Sequence, residues 1–231
     1  MTKIYCDTAD INEIKKCIKL YKIDGVTTNP SIMRANGVKN YKAQCLNILK
    51  VTKKKPLSVE VFADKSNEIY SQAKEIKKWD KNLYVKIPIV NTKGETLNKV
   101  IKRLNYERVK INITAVFTHD QLKKIKKSLN NKTPVIISIF SGRIADNGID
   151  PEVIIKKSLK MFKKFKNVKI LWASTREVFN FYQAKRCGCH IITMGPKFIE
   201  KLRSKKITLK NYSIETVKQF YFDGKKSKFK I

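Results

Sequence analysis

The sequence predicts an α/β protein closed as a (β/α)8 (TIM) barrel with a further helix at its C-terminus. Three observations predict it: eight short β-branched or aromatic runs, helical periodicity between them, and a length of 231 residues that suits eight such units. No Ser/Gly/Pro-rich linker or shift in composition divides the chain, so residues 1–231 are read as one domain.

The runs are KIYC (3–6), GVTT (25–28), LSVEVF (57–62), LYVKIP (83–88), VKINIT (109–114), PVIISI (134–139), VKILWA (168–173) and HIITM (190–194). Each is bounded by turn residues, which is the signature of a buried strand. Between them, Ile11, Ile14, Ile18 and Tyr21 recur at helical spacing, with Thr8 or Asp10 available as N-cap. Ile69, Ala73, Ile76 and Trp79 do the same. So do Leu122, Ile125 and Leu129, which Thr118 or Asp120 can cap, and then Val178, Phe181 and Tyr182. Ser213 to Gly224 reads as a last helix. Alternating strands and helices imply parallel strands joined by right-handed crossovers. In such a barrel the reacting groups belong at the C-terminal ends of the strands.

Composition narrows the class. The five cysteines are irregularly spaced and suggest no disulfide framework. The first residues lack the apolar stretch of a signal peptide, and no apolar run approaches the ~18 residues of a membrane span. The expected setting is the cytoplasm. Lys and Arg number 51 against 19 Asp and Glu, a formal charge of +32. Such a charge suits nucleic acid or phosphorylated small molecules as partners. The lysines are spread over amphipathic segments, the pattern of solvated helix faces, and only the tail GKKSKFKI resembles a basic extension. CGCH (187–190) lacks a second ligand pair, so no metal site is expected there. No glycine-rich nucleotide loop is present. His119 is read as a solvent-facing residue in the first turn of a helix.

Ionisable residues inside strands carry more information. In LSVEVF, Ser58, Glu60 and Phe62 share one face; in LYVKIP, Lys86 shares its face with Tyr84. The aliphatic faces belong against the helices, which directs Glu60 and Lys86 into the lumen, and Asp7 follows the first strand. Spacing alone leaves two readings open: a structural ion pair, or a nucleophilic lysine with carboxylate helpers. Burial disfavours an ammonium, and a neutral amine in an enclosed pocket attacks a ketone to form an imine. Polar residues at other strand ends complete the set: Thr28 and Asn29 in TTNPS, Asn112 and Thr114 in INIT, Ser138, Phe140 and Arg143 in ISIFSGRI, and Ser174 and Arg176 in WASTR. Two arginines and a hydroxyl on neighbouring strand ends suit a phosphate dianion.

Together IYCDTADINEI, DGVTTNPSIM, LSVEV, LYVKIP, INITAVFT, ISIFSGRI, ILWASTR and IETVKQFYFDG, in this order, resemble the small transaldolase family, which includes the fructose-6-phosphate aldolases. The resemblance spans nearly the whole chain; TTNPS and the lysine of VKIP are its most specific parts. It implies that Lys86 forms the Schiff base and that Asp7 acts on the substrate hydroxyl during C–C cleavage. Glu60 and Thr114 would hold the water that moves protons. Asn29 and Ser138, with Thr28 and Asn112 beside them, would bind the dihydroxyacetone portion. Arg143, Ser174 and Arg176 would grip the phosphate. No cofactor or metal is implied, because the imine is the electron sink. Glu60 and Phe140 follow the transaldolase branch, where the aldolase branch has Gln and Tyr; a Phe cannot help protonate the enamine. The implied partners are sugar phosphates of the pentose phosphate pathway and further copies of the chain, from dimers to rings of five or ten, with neither membrane nor nucleic acid. The alternatives are an aldolase for fructose 6-phosphate or a sugar of polysaccharide assembly, and an inactive basic barrel that binds nucleic acid. IVNTKGE after VKIP, Ile139 and Thr175 depart from the family's pattern and leave the particular sugar open.

Overall fold

The computed structural model describes residues 1–53 and 55–229; Lys54, in the KKKP run, and the last two residues of the basic tail lie outside these. Eight parallel strands close a barrel in chain order: β1 (Lys3–Asp7), β2 (Gly25–Thr27), β3 (Leu57–Glu60), β4 (Leu83–Pro88), β5 (Ile111–Val116), β6 (Val135–Ile139), β7 (Val168–Trp172) and β8 (Ile191–Met194), with β8 pairing back to β1.

Strand alternation sorts the side chains into two cores. Ile4, Cys6, Val26, Leu57, Val59, Val85, Ile87, Ile111, Ile113, Ile137 and Ile170 face outward into the main core under the helices. Burying an aliphatic side chain of this size contributes on the order of 2 kcal/mol. The opposite parity builds a separate lumen cluster from Tyr5, Ile136, Leu171, Ala173 and Ile191, with Tyr84 and Phe140 against it. This cluster is the floor on which the polar residues of the next layer stand. Gly25 belongs to it by necessity: a Cβ there would lie 2.7 Å from the Tyr5 ring.

The helices follow their periodicity. In α1 (Ile11–Tyr21), Asp10 accepts the backbone N–H groups of Asn12 and Glu13, and Ile14 and Cys17 are fully buried. In α6 (His119–Lys127), Thr118 and Gln121 form a capping box and bury Leu122 and Ile125 beneath four exposed or half-exposed lysines.

Several expectations shift. β3 ends at Glu60, and Phe62 is exposed; the chain peels away there because the Phe62 and Ala63 N–H groups turn to the Gln72 side chain. β5 begins at Ile111 rather than 109, since Arg108, at φ 58°, is still in the turn. In α9 (Phe179–Arg186) the buried residues are Asn180 and Ala184, and Tyr182 faces solvent. Two short helices, α2 (Pro30–Ala35) and α7 (Ser141–Asp146), start directly after β2 and β6, where the sequence reading placed strand ends. The last helix, α11 (Leu209–Ser227), extends past both predicted ends and buries none of its residues; Tyr212, Phe220, Tyr221 and Phe222 are exposed. Among the described residues no helix is long and apolar enough to cross a membrane.

His190 ties the entry of β8 to β7: its Nδ1 accepts the Ile170 N–H at 3.0 Å. Burial, aided by the charge of Lys169, holds its pKa below the ordinary 6.5. The imidazole is therefore neutral in the fold, and the unfolded chain takes up its proton first. Stability from this group is complete above the unfolded pKa and is lost as pH falls through the folded one. Urea unfolding between about pH 7 and pH 5 should show this loss. His190→Asn, whose amide oxygen accepts without titrating, should flatten it; equal slopes in both proteins would count against it.

Candidate active site

The strand ends surround a cavity of about 270 Å3 at the C-terminal mouth of the barrel. Asp7, Thr27, Asn29, Lys86, Ser138, Phe140, Arg143, Ser174 and Arg176 line it, with Thr193 closing one side. Lys86 comes from the middle of β4, in register with Glu60 on β3 and Asn112 on β5. Its Nζ lies 3.0 Å from Glu60 Oε2 and donates to the Thr28 carbonyl at 3.3 Å. The lysine side chain is 8% exposed and that of Glu60 18%. A buried pair like this is held together strongly, because removing either partner strands the other charge. Glu60 is braced from behind, where the Tyr41 hydroxyl donates to its carbonyl at 2.7 Å.

Asn112 is fully buried beside Lys86. It donates to Ser58 Oγ at 3.0 Å and accepts the Ser138 hydroxyl at 2.7 Å. Ser138 has thereby spent its only proton and can offer a ligand only acceptor capacity. Asn29 caps α2, its Oδ1 accepting the Ile32 N–H at 2.9 Å, which leaves its amide NH2 for a ligand. Thr114 is buried with its hydroxyl unpartnered by protein. Asp7 Oδ1 accepts the Thr27 hydroxyl at 2.6 Å. Burial raises the Asp7 pKa; the charge of Lys86 and the bond from Thr27 oppose that rise.

The far side of the cavity is cationic. Arg143 sits in the first turn of α7, its guanidinium 5.5 Å from the Phe140 ring centre. Arg176 donates through Nε and Nη2 to both oxygens of Asp146, with contacts of 2.5–3.1 Å. Its backbone N–H is fixed by Asn180 Oδ1 at 2.9 Å. Ser174 adopts φ 63° two residues before Arg176, and both line the cavity.

The structure thus brings the sequence-predicted residues to one end of the barrel, with differences. Thr28 meets Lys86 through its carbonyl only; its hydroxyl is buried without a partner, and Thr27 is the threonine that lines the cavity. The reason is strand parity: Gly25 and Thr27 face inward, so Thr28 turns away. Asn112 acts beneath the surface by fixing Ser138, and no direct hydrogen bond joins Thr114 to Glu60. Sequence reasoning missed Thr193, Gly142 and Asp146. For Thr193 the signal was its parity with Ile191. For Gly142 and Asp146 no local signal existed, since their roles depend on the β7–α9 loop. A Cβ on Gly142 would lie 1.6 Å from the Ser174 carbonyl oxygen.

A buried lysine–carboxylate pair at the C-terminal mouth of a (β/α)8 barrel, facing two arginines, defines an enzyme that works at its strand ends. The profile of the Transaldolase/Fructose-6-phosphate aldolase family matches residues 4–231, and the chain belongs to this family. It is 33% identical over 215 residues to a probable transaldolase of Herpetosiphon aurantiacus, covering 93% of this chain and 92% of that protein. A probable transaldolase of Thermoplasma volcanium is 36% identical over 195 residues, covering 83% of each. Two solved structures of low identity show the same fold. A monomeric dihydrodipicolinate synthase variant superposes with a TM-score of 0.61 at 12% identity, over 87% of this chain and 71% of that one. N-acetylneuraminate lyase from Mycoplasma synoviae gives 0.58 at 11%, over 86% and 70%.

Gly142→Ala should push α7 away from the β7–α9 loop. The expected result is a stability loss of about 3 kcal/mol in urea unfolding, with anion binding in the cavity weakened in parallel. Unchanged stability and unchanged protection by inorganic phosphate would show that the two segments need not touch.

Proposed function

We infer that this protein is a transaldolase that transfers a dihydroxyacetone unit between sugar phosphates through a Schiff base on Lys86. The observation that carries this reading is the position of Lys86: its amine is buried, lies 3.0 Å from Glu60, and opens onto a cavity shared with Asp7, Arg143 and Arg176. Fructose 6-phosphate and sedoheptulose 7-phosphate are the proposed donors, and an aldose phosphate the acceptor. The five free thiols suit the reducing cytoplasm, where such sugars are exchanged. Assembly into a homo-oligomer that covers the exposed aromatics of α11 belongs to the same reading.

The proposed steps use the groups that line the cavity and the pair beside it. Arg143, Ser174 and Arg176 hold the donor's phosphate, which presents the ketone to Lys86. Glu60 is the nearest acceptor for the proton the amine must shed, and it returns a proton as the carbinolamine loses water. Glu60 and Thr114 hold the water that carries these protons. Asn29 donates to the dihydroxyacetone oxygens and Ser138 accepts from them. Asp7 then takes the proton of the hydroxyl on the departing side of the scissile bond. The C–C bond breaks, its electrons flow into the iminium nitrogen, and an aldose phosphate leaves. The enamine that remains faces the Phe140 ring, which carries no proton to quench it. An acceptor aldehyde enters, and the same steps run in reverse. The iminium supplies the electron sink within the chain's own chemistry.

Borohydride reduction in the presence of fructose 6-phosphate should leave a three-carbon adduct on Lys86, read by peptide mass spectrometry. An adduct on another lysine, or none with any ketose phosphate, would sink the reading. Product release should need an acceptor aldehyde; cleavage that turns over without one would make the enzyme an aldolase.

Asp7 supplies the pH dependence. It must be ionised to accept the hydroxyl proton, and its raised pKa places the change above the ordinary carboxylate value of 3.8. Donor cleavage should therefore rise with pH through an apparent pKa above that value and lose activity below it. Asp7→Asn should slow cleavage by about a hundredfold or more while leaving imine trapping intact. A profile flat through this range would remove Asp7 from the role.

A further inference from the structure

Three side chains at the junction of β8, β2 and β1 form an unbroken chain of hydrogen bonds. Thr27 Oγ1 donates to Asp7 Oδ1 at 2.6 Å, and Thr193 Oγ1 lies 2.5 Å from Thr27 Oγ1, either able to be the donor. Thr193 Oγ1 is also 3.4 Å from the Tyr5 carbonyl. Both threonines are nearly fully buried at the edge of the cavity, where they are each other's nearest hydroxyl partners. Counting protons fixes the direction. An ionised Asp7 accepts only, so Thr27 gives it its single proton, and Thr193 must donate to Thr27. A protonated Asp7 carries a donor. It can give that proton to Thr27, Thr27 then donates to Thr193, and Thr193 turns to the Tyr5 carbonyl. Every proton has an acceptor in both states, and the flip needs only hydroxyl rotations.

We propose that Thr27 and Thr193 are positioning residues that act through Asp7, as a reversible hydroxyl relay satisfying the carboxyl group before and after it takes the substrate's proton. The proposal rests on the reading of Asp7 as the proton acceptor in C–C cleavage. No covalent bond is made in the relay. The O–H proton leaves the substrate for Asp7, and the hydroxyls reorient around it. The environment otherwise offers little. The charges on the lumen side are Lys86 of β4, paired with Glu60 of β3, and Arg143 and Arg176 across the cavity; β2 and β8 contribute hydroxyls only. Cys6 points outward to Cys17 of α1, and Asp10 is occupied at the N-terminus of that helix. Hydrogen bonds to a charged acceptor are worth more than those to a neutral one, so the relay favours the ionised form while still accommodating the protonated one.

The test is the pH profile of kcat/KM for donor cleavage in Thr27→Val, Thr193→Val and Thr27→Ser, with imine trapping at Lys86 as the control for an intact site. Thr27→Val should move the acid limb up by about one pH unit and leave trapping unchanged. Thr193→Val should move it in the same direction by less, and Thr27→Ser should restore the wild-type limb. A limb that stays in place in Thr27→Val, while Asp7→Asn still slows cleavage about a hundredfold or more, overturns the relay and leaves the role of Asp7 standing. Cleavage at the wild-type rate in Asp7→Asn overturns both. If Thr27→Val fails to fold, Thr193→Val decides alone: an unmoved limb ends the proposal.

Discussion

The lumen of this barrel is organised by one interaction, the ion pair between Lys86 and Glu60 on adjacent strands. A cation and an anion buried this deeply are tolerable only at hydrogen-bonding distance and with their remaining donors and acceptors occupied. The pair meets the distance condition at 3.0 Å, and its neighbours supply part of the remaining bonding. The Thr28 carbonyl takes a second bond from the ammonium, Tyr41 holds the backbone of Glu60, and Asn112 fills the next register position with its amide bonded to Ser58 and Ser138. Below them the lumen is sealed by Tyr5, Tyr84, Ile136, Leu171 and Ile191. The pair can form only where an apolar floor gives way to a polar layer. That boundary falls one residue pair from the strand ends, which puts the amine next to the open mouth.

Much of this was legible because strand parity is strict. Once the outward faces of LSVEVF and LYVKIP are recognised as aliphatic, Glu60 and Lys86 can point only inward. The same rule applied to β2 would have chosen Thr27 over Thr28, since Gly25 begins the inward row. A strand of three residues gives so little alternation that the choice is easily missed. The caps were legible to within a pair of candidates because their chemistry is local; Asp10 rather than Thr8 and Thr118 rather than Asp120 fill the two positions. The arrangements that escaped are long-range. Asp146 meets Arg176 only because α7 and the β7–α9 loop fold toward each other. The demand for glycine at 142 is set by a carbonyl oxygen 32 positions along the chain. Phe62 looked like a lumen residue by parity, but β3 ends before parity can act on it.

The charge of +32 has a physical consequence whatever its origin. Acidic partners are too few to neutralise it, and the ion pairs that form are mostly exposed, where each contributes ~1 kcal/mol or less. The surplus is left as a positive field around the barrel. Such a field draws in anions over about a Debye length and so favours phosphorylated over neutral ligands at the encounter stage. Within the mouth the balance is finer. Asp146 occupies one edge of the Arg176 guanidinium, so this arginine faces the cavity with its orientation fixed and part of its charge compensated.

The two lumen carboxylates therefore occupy different physical situations, although both come from strand ends and both face Lys86. Glu60 is compensated by a full charge in direct contact. Asp7 has no such partner: its near neighbour is a hydroxyl, Lys86 acts on it only through space, and burial raises its pKa. Environments that differ in this way let one residue type do two jobs: in the proposed mechanism the carboxylate tied to the amine follows the protonation of the nitrogen, while the other takes a proton from a carbon-bound oxygen. Hydroxyls suit the second task better than a cation would. A lysine or arginine beside Asp7 would hold it ionised and make it a poor base, whereas a threonine stabilises the anion modestly and can accept a bond back once the proton has arrived. The sequence places threonines at both neighbouring strand positions, 27 and 193, and its arginines on the opposite wall, where the proposed mechanism puts the phosphate of the ligand.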